Sequence, residues 1–435
     1  MTCRFERLSE KQLVRAASKI TLSSNAGLVQ DEVVKIFSKY FLILLLCLIR
    51  GIVSAHAESN SIFQIDTNFP AGNIIVEKVQ GDTVNVRTDL RDTESWWFYW
   101  YFRVRGAASK TLTFNFMEGT PIGVRGPGVS LDEGATWTWL GKQPDNKSFK
   151  YSFPAGADSV RFSFGMPYTE EHLQTFLKRV GQNFALKEEI LCQSRKGRDV
   201  ERLHVGKLKG TPKFRVMVTC RAHCCEMMTS YVAEGLIEAA LANDTDGKWF
   251  RKNVELLVIP FVDKDGVEDG DQGKLRSPRD HNRDFDANAI YPETRAIQKF
   301  VPHWSAGKLR LTMDLHCPHI RGNYNEFIYL VGSSKREIWQ EQERFGHILE
   351  RVQKGPLVYR ATNNLLYGQA WNSAKNFTAG TSIARWAGEL PGVKLATTIE
   401  FPYANVLGGE VNAHTARAFG RDLCSAIREY LETNE

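Results

Sequence analysis

In "VMVTCRAHCCEMMTSYVAEGL", His223 and Glu226 stand three residues apart, where an apolar run gives way to helical spacing. A second histidine, His316, follows the run "LRLTMDL", and Glu400 ends the run "KLATTIEF". Two imidazoles and one carboxylate are a usual ligand set for catalytic zinc, leaving one position for water or substrate. An ion so held lowers the pKa of water to about 7 and polarises a carbonyl. A further carboxylate, here Glu400, can take the water's proton and pass it to a leaving amine. Cys224 and Cys225, between the first two ligands, read as small core residues, because thiolates would fill the position that catalysis keeps open.

The loop "KDGVEDGDQGKLRSPRDHNRDF", from Lys264 to Phe285, adds Arg276, Arg279, Asn282 and Arg283. The planar fork of a guanidinium suits a carboxylate, and several such groups at one place imply an anionic ligand.

The elements that must position these residues are legible in the periodicity. After Glu188 the apolar runs "FRVMVTC", "VELLVIPFV", "LRLTMDLHC", "FIYLVG" and "KLATTIEF" alternate with helical stretches, as in an open sheet flanked by helices. His223, Glu226, His316 and Glu400 then all fall at carboxyl ends of strands, where open α/β sheets bind ligands. The helix after Glu226 carries Met228, Tyr231, Val232, Gly235, Leu236, Ala239 and Ala240 on one stripe. From Ile62 to about Pro167 the pattern differs: "NIIVEKVQGDTVNVRTDL", "WWFYWYFRVRG", "KTLTFNFMEG", "FKYSFPAG" and "SVRFSFG" read as strands at sandwich-like spacing. "WWFYWYFRV" alternates poorly, which suits a strand buried on both faces or one covering a neighbouring domain. "PYTEEHLQTFLKRVG" then turns helical, with Leu173, Phe176 and Leu177 on one side.

A chain of 435 residues suggests two domains plus extras. With 43% hydrophobic and 24% charged residues it is an ordinary globular composition, and its net charge of +6 is scattered, leaving no nucleic-acid footprint. Residues 34–57 have the layout of a secretory signal: Lys35 and Lys39, an apolar run from Tyr40 to Ile49, then Ala55-His56-Ala57 with cleavage after Ala57. Arg50 interrupts the run, which is short for a membrane span, so no stable membrane insertion is expected after cleavage, with an uncleaved anchor as the alternative. The expected location is periplasmic or secreted. The expected organisation is an extension and signal over 1–57, a β-sandwich over 58–168 and a catalytic domain over 169–435. Of eight cysteines, Cys3 and Cys47 precede the cleavage point, and the other six are not spaced like a disulfide framework.

The ordered set His223-x-x-Glu226, "DKDGV", "DHNRDF", "DLHCPH" and "TIEFPY" resembles the zinc carboxypeptidase family related to pancreatic carboxypeptidase A, over residues 190–432. The resemblance implies an α/β domain with a mixed open sheet, one zinc ion on His223, Glu226 and His316, and Glu400 as general base. It implies that Asn282 and Arg283 bind the substrate's terminal carboxylate. It implies an arginine that polarises the scissile carbonyl, best matched by Arg276, with Arg279 competing. "TAGTSIARWAGEL" is similar to the wall of the specificity pocket, with Ile383, Ala384 or Arg385 at the selective position. The family's mobile tyrosine would fall near Asn376 and Phe377, where no tyrosine stands. "WWFYWYFRVRG", "FNFMEG" and "FSFGMPYTEEHLQTFL" resemble the antiparallel β-sandwich that precedes the catalytic domain of cytosolic carboxypeptidases, the deglutamylase group. Because that group is cytosolic and this chain reads as exported, its substrates are not carried over.

The leading expectation is therefore a zinc metallocarboxypeptidase acting on peptide or protein C-termini. The alternatives are a zinc amidohydrolase for small N-acyl amino acids, whose substrate carboxylate the Asn-Arg pair would also serve, and a catalytically inactive binding module. The presence of all three ligands and Glu400 argues against the last.

Overall fold

The computed structural model describes residues 63–433. Its first part is two packed sheets. One has the order Gln64–Asp66, Tyr101–Arg105, Ser159–Ser163, Gly128–Ser130, Thr138–Trp139. The other has the order Ile75–Gln80, Thr83–Arg87, Thr111–Phe116, Ser148–Ser152. Alternation along Thr111–Phe116 turns Leu112, Phe114 and Phe116 inward. There Phe114 meets Phe102 and Phe162 of the facing sheet, at ring separations of 5.2 and 5.5 Å. The pairing is antiparallel except between Thr83–Arg87 and Thr111–Phe116, which run parallel. A parallel pair needs a crossover, and the chain makes it by visiting the other sheet at Tyr101–Arg105.

The segment "WWFYW" covers the neighbouring domain rather than pairing as a strand, which begins only at Tyr101. Phe98 packs on Tyr403 and His319, at ring separations of 5.7 and 5.0 Å. The Tyr99 N–H donates to Gln272 Oε1 (2.7 Å), and Gln272 Nε2 donates back to the Tyr99 carbonyl (2.9 Å). One glutamine side chain thus satisfies the buried backbone that a partner strand would otherwise have to.

A helix at Glu170–Val180, with Leu173 and Phe176 buried, leads into a seven-stranded mixed sheet. Its strands are β1 (Leu186–Gln193), β2 (Asp199–Gly206), β3 (Phe214–Cys220), β4 (Val254–Ile259), β5 (Leu309–His316), β6 (Tyr329–Val331) and β7 (Leu395–Glu400), in the order β1-β2-β4-β3-β5-β7-β6. The central four, β4, β3, β5 and β7, are parallel, and antiparallel strands flank them. Being covered on both faces, the parallel strands are the ones that read as unbroken apolar runs. The hairpin β1–β2 gave no such signal because β1, "LKEEILCQ", is a charged, largely exposed edge.

The helix after Glu226, Met228–Leu241, is buried well beyond the expected stripe, with Thr229, Ser230, Ala233 and Glu234 also inside. The C-terminal helix Ala413–Glu432 lies against it. A Cβ at Gly235 would come within 2.0 Å of the Arg417 carbonyl oxygen, and one at Gly420 within 2.1 Å of that of Val232. These two glycines allow the backbones to touch. Among the described residues no helix is long and apolar enough to cross a membrane.

Candidate functional site

β3 and β5 deliver the histidines to one point. His316 is the last residue of β5 and pairs in register with Glu400, the last of β7. His223 and Glu226 lie in the loop that leaves β3. That loop turns on Arg221, held at φ +62°, a conformation uncommon outside glycine. The buried Arg221 guanidinium stabilises the turn by donating to the Cys224 and Tyr168 carbonyls (2.8 Å each) and to Ser230 Oγ (3.2 Å).

His223 Nδ1 lies 3.0 Å from Glu226 Oε1 and 3.1 Å from His316 Nδ1, and His316 Nδ1 lies 2.7 Å from Glu226 Oε2. All three side chains are buried. Behind them sit two more carboxylates. Asp314 Oδ2 is 2.5 Å from His316 Nε2, and Asp280 Oδ1 faces His223 Nε2 at 3.5 Å. An ionised carboxylate only accepts, so each Nε2 carries the proton and each Nδ1 keeps its lone pair. Two lone pairs and a carboxylate converging at this range repel unless a cation lies among them, and carboxylate-backed imidazoles are how metal-binding histidines are usually oriented. The donor set fits zinc.

Burial alone would raise the Glu226 carboxyl, but His223, His316 and Lys274 bring it well below the ordinary range. Burial disfavours a second proton on His316, yet Asp314 and Glu226 hold its pKa well above the usual value, so that Nδ1 takes up either a proton or a metal ion. Burial raises the Glu400 carboxyl to about 7, against the pull of His316 and with the charge of Glu226 adding to the rise. Among the described residues Glu400 Oε2 has no hydrogen-bond partner, and Glu400 borders a cavity of about 770 Å³, which His223 and His316 also line. A buried carboxylate oxygen left free beside the cluster is placed to accept a proton.

Asn282 joins the cluster to the opposite wall. Its Nδ2 is 3.2 Å from His316 Nε2, and its Oδ1 accepts from the Ile383 N–H (3.1 Å). Arg283 lines the cavity, and among the described residues its donors meet only neutral oxygens, the Asn282 carbonyl (2.8 Å) and Asn376 Oδ1 (3.2 Å). Gly380 lets the following segment lie on this pair, since a Cβ there would come within 1.9 Å of the Arg283 carbonyl oxygen. Asn376 and Phe377, where the family's tyrosine is missing, both border the cavity.

Three expected positions are corrected. Arg276 is buried and directs its nitrogens at Asp92 (2.7 Å), Asp263 (2.7 Å) and Asp271 (2.8 Å), outside the cavity lining. Arg279 is held by Asp284 (3.0 Å), Asp286 (2.7 Å) and the Asn288 carbonyl (2.6 Å), also outside it. Paired with carboxylates and outside the cavity lining, neither is placed to meet a carbonyl there. Ile383 turns into the core beside Phe285 and Ala387, so that on the short helix Ile383–Ala387 it is Ala384, Arg385 and Trp386 that reach the cavity.

Sequence reasoning missed Asp314, Asp280, Arg221 and Lys274. Asp314 carried a signal: two residues before His316 in a strand, it lies on the same face. The cysteines belong to the packing. Cys224 Sγ donates to the Asp271 carbonyl (3.1 Å), and burial pushes the Cys225 thiol up to about 12. All six described cysteines are free.

A family model described as zinc carboxypeptidase matches residues 177–409, and one described as the cytosolic carboxypeptidase N-terminal domain matches residues 65–164. Cytosolic carboxypeptidase 2 of Homo sapiens is 26% identical over 347 residues, covering 68% of this chain and 38% of that protein. Its Xenopus tropicalis counterpart is 23% identical over 422 residues, covering 86% of this chain and 42% of that protein. The chain thus spans about two fifths of the length of these relatives. Two solved structures share the fold. A metallo-carboxypeptidase from Burkholderia cenocepacia matches with a TM-score of 0.70 at 20% identity, covering 86% of this chain and 100% of that one. One from Pseudomonas aeruginosa, in complex with (2-guanidinoethylmercapto)succinic acid, matches with a TM-score of 0.69 at 21% identity and the same coverage. These findings overturn the periplasmic or secreted location, because the relatives are named as cytosolic and residues 65–164 match their N-terminal domain. The segment 34–57 on which that expectation rested lies outside the described residues.

Proposed function

Because the chain belongs to the zinc carboxypeptidase family, we propose that it is a zinc-dependent exopeptidase that hydrolyses the last peptide bond of peptides or proteins. One observation carries this reading: a buried His223–Glu226–His316 cluster opens on a cavity where Asn282 touches His316 and Arg283 makes no ion pair among the described residues. His223, Glu226 and His316 would hold one zinc ion, which when bound supplies the Lewis acidity that makes water nucleophilic at neutral pH. Asn282 and Arg283 grip the terminal carboxylate of the substrate through charge-assisted hydrogen bonds. That grip sets the scissile carbonyl against the ligand cluster and makes the attack effectively intramolecular. Glu400 accepts the proton of the attacking water and delivers it to the departing amine nitrogen. Ala384 and Arg385 border the space for the last side chain. In the same reading residues 58–168 are the sandwich domain and 169–435 the catalytic domain, with the junction between the last sandwich strand, ending at Ser163, and the helix from Glu170.

The test is metal analysis of the purified protein followed by digestion of a free-acid peptide, with products weighed by mass spectrometry. The expected result is one zinc per chain and loss of single residues from the C-terminus, abolished by chelation and restored by zinc. Internal cuts, or cleavage indifferent to chelation, would refute the proposal. Activity confined to N-acyl amino acids would move it to the amidohydrolase alternative.

A further inference from the structure

Hydrolysis of a peptide bond drives negative charge onto the carbonyl oxygen, and one donor aimed at that oxygen is worth about 10²–10³ in turnover. The arginines that the family resemblance offers for this task, Arg276 and Arg279, are bound to carboxylates away from the cavity. We propose that Lys274 takes their place, as the cation that binds and stabilises the carbonyl oxygen. The inference rests on the exopeptidase reading above.

Four lysine and arginine side chains border the cavity among the described residues: Lys274, Arg283, Lys335 and Arg385. Arg283 and Arg385 gather around the Phe377 ring, 5.6 and 3.9 Å from its centroid. Lys335 is paired with Glu389. Lys274 alone approaches the ligand cluster, with Nζ 3.8 Å from Glu226 Oε1. That distance is attraction without a hydrogen bond, so the ammonium keeps its donors for an incoming oxygen.

The backbone explains why position 274 points here. Gly273, at φ +71°, lies against the loop that carries the ligands. A Cβ on it would come within 2.5 Å of the Cys224 nitrogen and 2.7 Å of Cys224 Sγ. Any side chain at 273 is thereby excluded, and Lys274 is the next one along. The Trp97 ring, contributed by the sandwich, lies 5.9 Å from Nζ, within range of a cation–π contact that keeps the ammonium beside the cluster. A lysine, being a compact point charge with three donors, suits one oxygen better than the fork that Arg283 presents to a carboxylate.

In the reaction, water oxygen bonds to the carbonyl carbon while Glu400 takes its proton. The C=O π pair moves to the oxygen, which accepts a hydrogen bond from the Lys274 ammonium. As the pair returns, the C–N bond breaks and Glu400 gives its proton to the amine nitrogen. Lys274 ends the cycle unchanged.

The test compares the native protein with Lys274→Met and Lys274→Arg. The substrate is the dipeptide cleaved fastest from a set differing only in its last residue. The binding probe is the phosphinic isostere of that dipeptide, a tetrahedral anion, measured by calorimetry beside the free product amino acid. Lys274→Met is expected to keep one zinc per chain and native product affinity, to lower kcat about 10²–10³-fold with KM within threefold, and to weaken phosphinate binding by a similar factor. Lys274→Arg should recover part of both losses. Native kcat and phosphinate affinity in a zinc-loaded Lys274→Met protein would overturn the proposal. So would loss of zinc in both variants, which would make Lys274 a support of the ligand cluster. A native protein that binds no zinc and cleaves no peptide would instead overturn the exopeptidase reading.

Discussion

Arg276 and Arg283 belong to one loop and one residue type, yet they face opposite surroundings. Arg276 is enclosed by Asp92, Asp263 and Asp271. Arg283 looks into the cavity, hydrogen-bonded only to an amide and a carbonyl oxygen among the described residues and lying near the Phe377 ring. The buried side of the loop is also where the sandwich takes hold: Thr93 bridges to Arg276, the Glu94 N–H donates to the Leu275 carbonyl (3.0 Å), and the Ser277 N–H donates to the Asp92 carbonyl (3.0 Å). One arginine therefore anchors the loop to the preceding domain, and the other is left for a ligand. A run of cations marks a loop as anionic in taste, but the placement of carboxylates decides which cation is available.

Substitutions on the two sides should separate function from support. The largest expected effect is on the cavity side: Glu400→Gln should lower turnover about 10²–10⁴-fold, because glutamine cannot accept the proton. Zinc content and denaturation midpoint should stay native. Near-native turnover would transfer the role of base elsewhere.

On the buried side, Arg276→Ala strands carboxylates that include the fully enclosed Asp263. Breaking a buried pair by removing one partner costs about 3–5 kcal/mol, so the denaturation midpoint should fall sharply. The fraction that remains folded should keep native zinc content. A variant as stable as the native protein but with reduced kcat would return Arg276 to the catalytic machinery.

Arg283→Ala should do the reverse. Hydrogen bonds to a charged group contribute about 1.5–3 kcal/mol, so kcat/KM for free-acid peptides should fall about ten- to a hundred-fold at unchanged stability. A stability loss with activity preserved would break the contrast between the two arginines. Arg279→Ala should touch activity least, leaving kcat/KM native, while the denaturation midpoint falls because the fully buried Asp284 loses its partner. A selective loss of turnover there would make Arg279, rather than Lys274, the cation for the carbonyl oxygen.

What the sequence reveals and what it hides follow the same division. Parallel strands buried on both faces announce themselves as apolar runs, so the strand ends bearing His316 and Glu400 were legible, and so was the cluster that they complete with His223 and Glu226. The paired strands Ile75–Gln80 and Thr83–Arg87 were legible from their turn, but Gly128–Ser130 and Thr138–Trp139 are too short to set up a period. The commitment of Arg276 was hidden because Asp92 comes from another domain, brought near only by the fold. Ile383 and Arg385 could not be told apart because the phase of a five-residue helix decides which of them faces the cavity. Lys274 was passed over because neighbouring arginines matched the expected residue type.

The most direct test of the central claim, that Asn282 and Arg283 grip a free terminal carboxylate beside the ligand cluster, is the kcat/KM of the native protein on one peptide prepared as free acid and as C-terminal amide. Amidation removes the charge that Arg283 is placed to meet, and loss of a charge-assisted contact costs about 1.5–3 kcal/mol. The account predicts that the acid is cleaved at least about tenfold faster than the amide. Equal rates on the two forms would contradict it, leaving a zinc hydrolase that does not read the end of the chain.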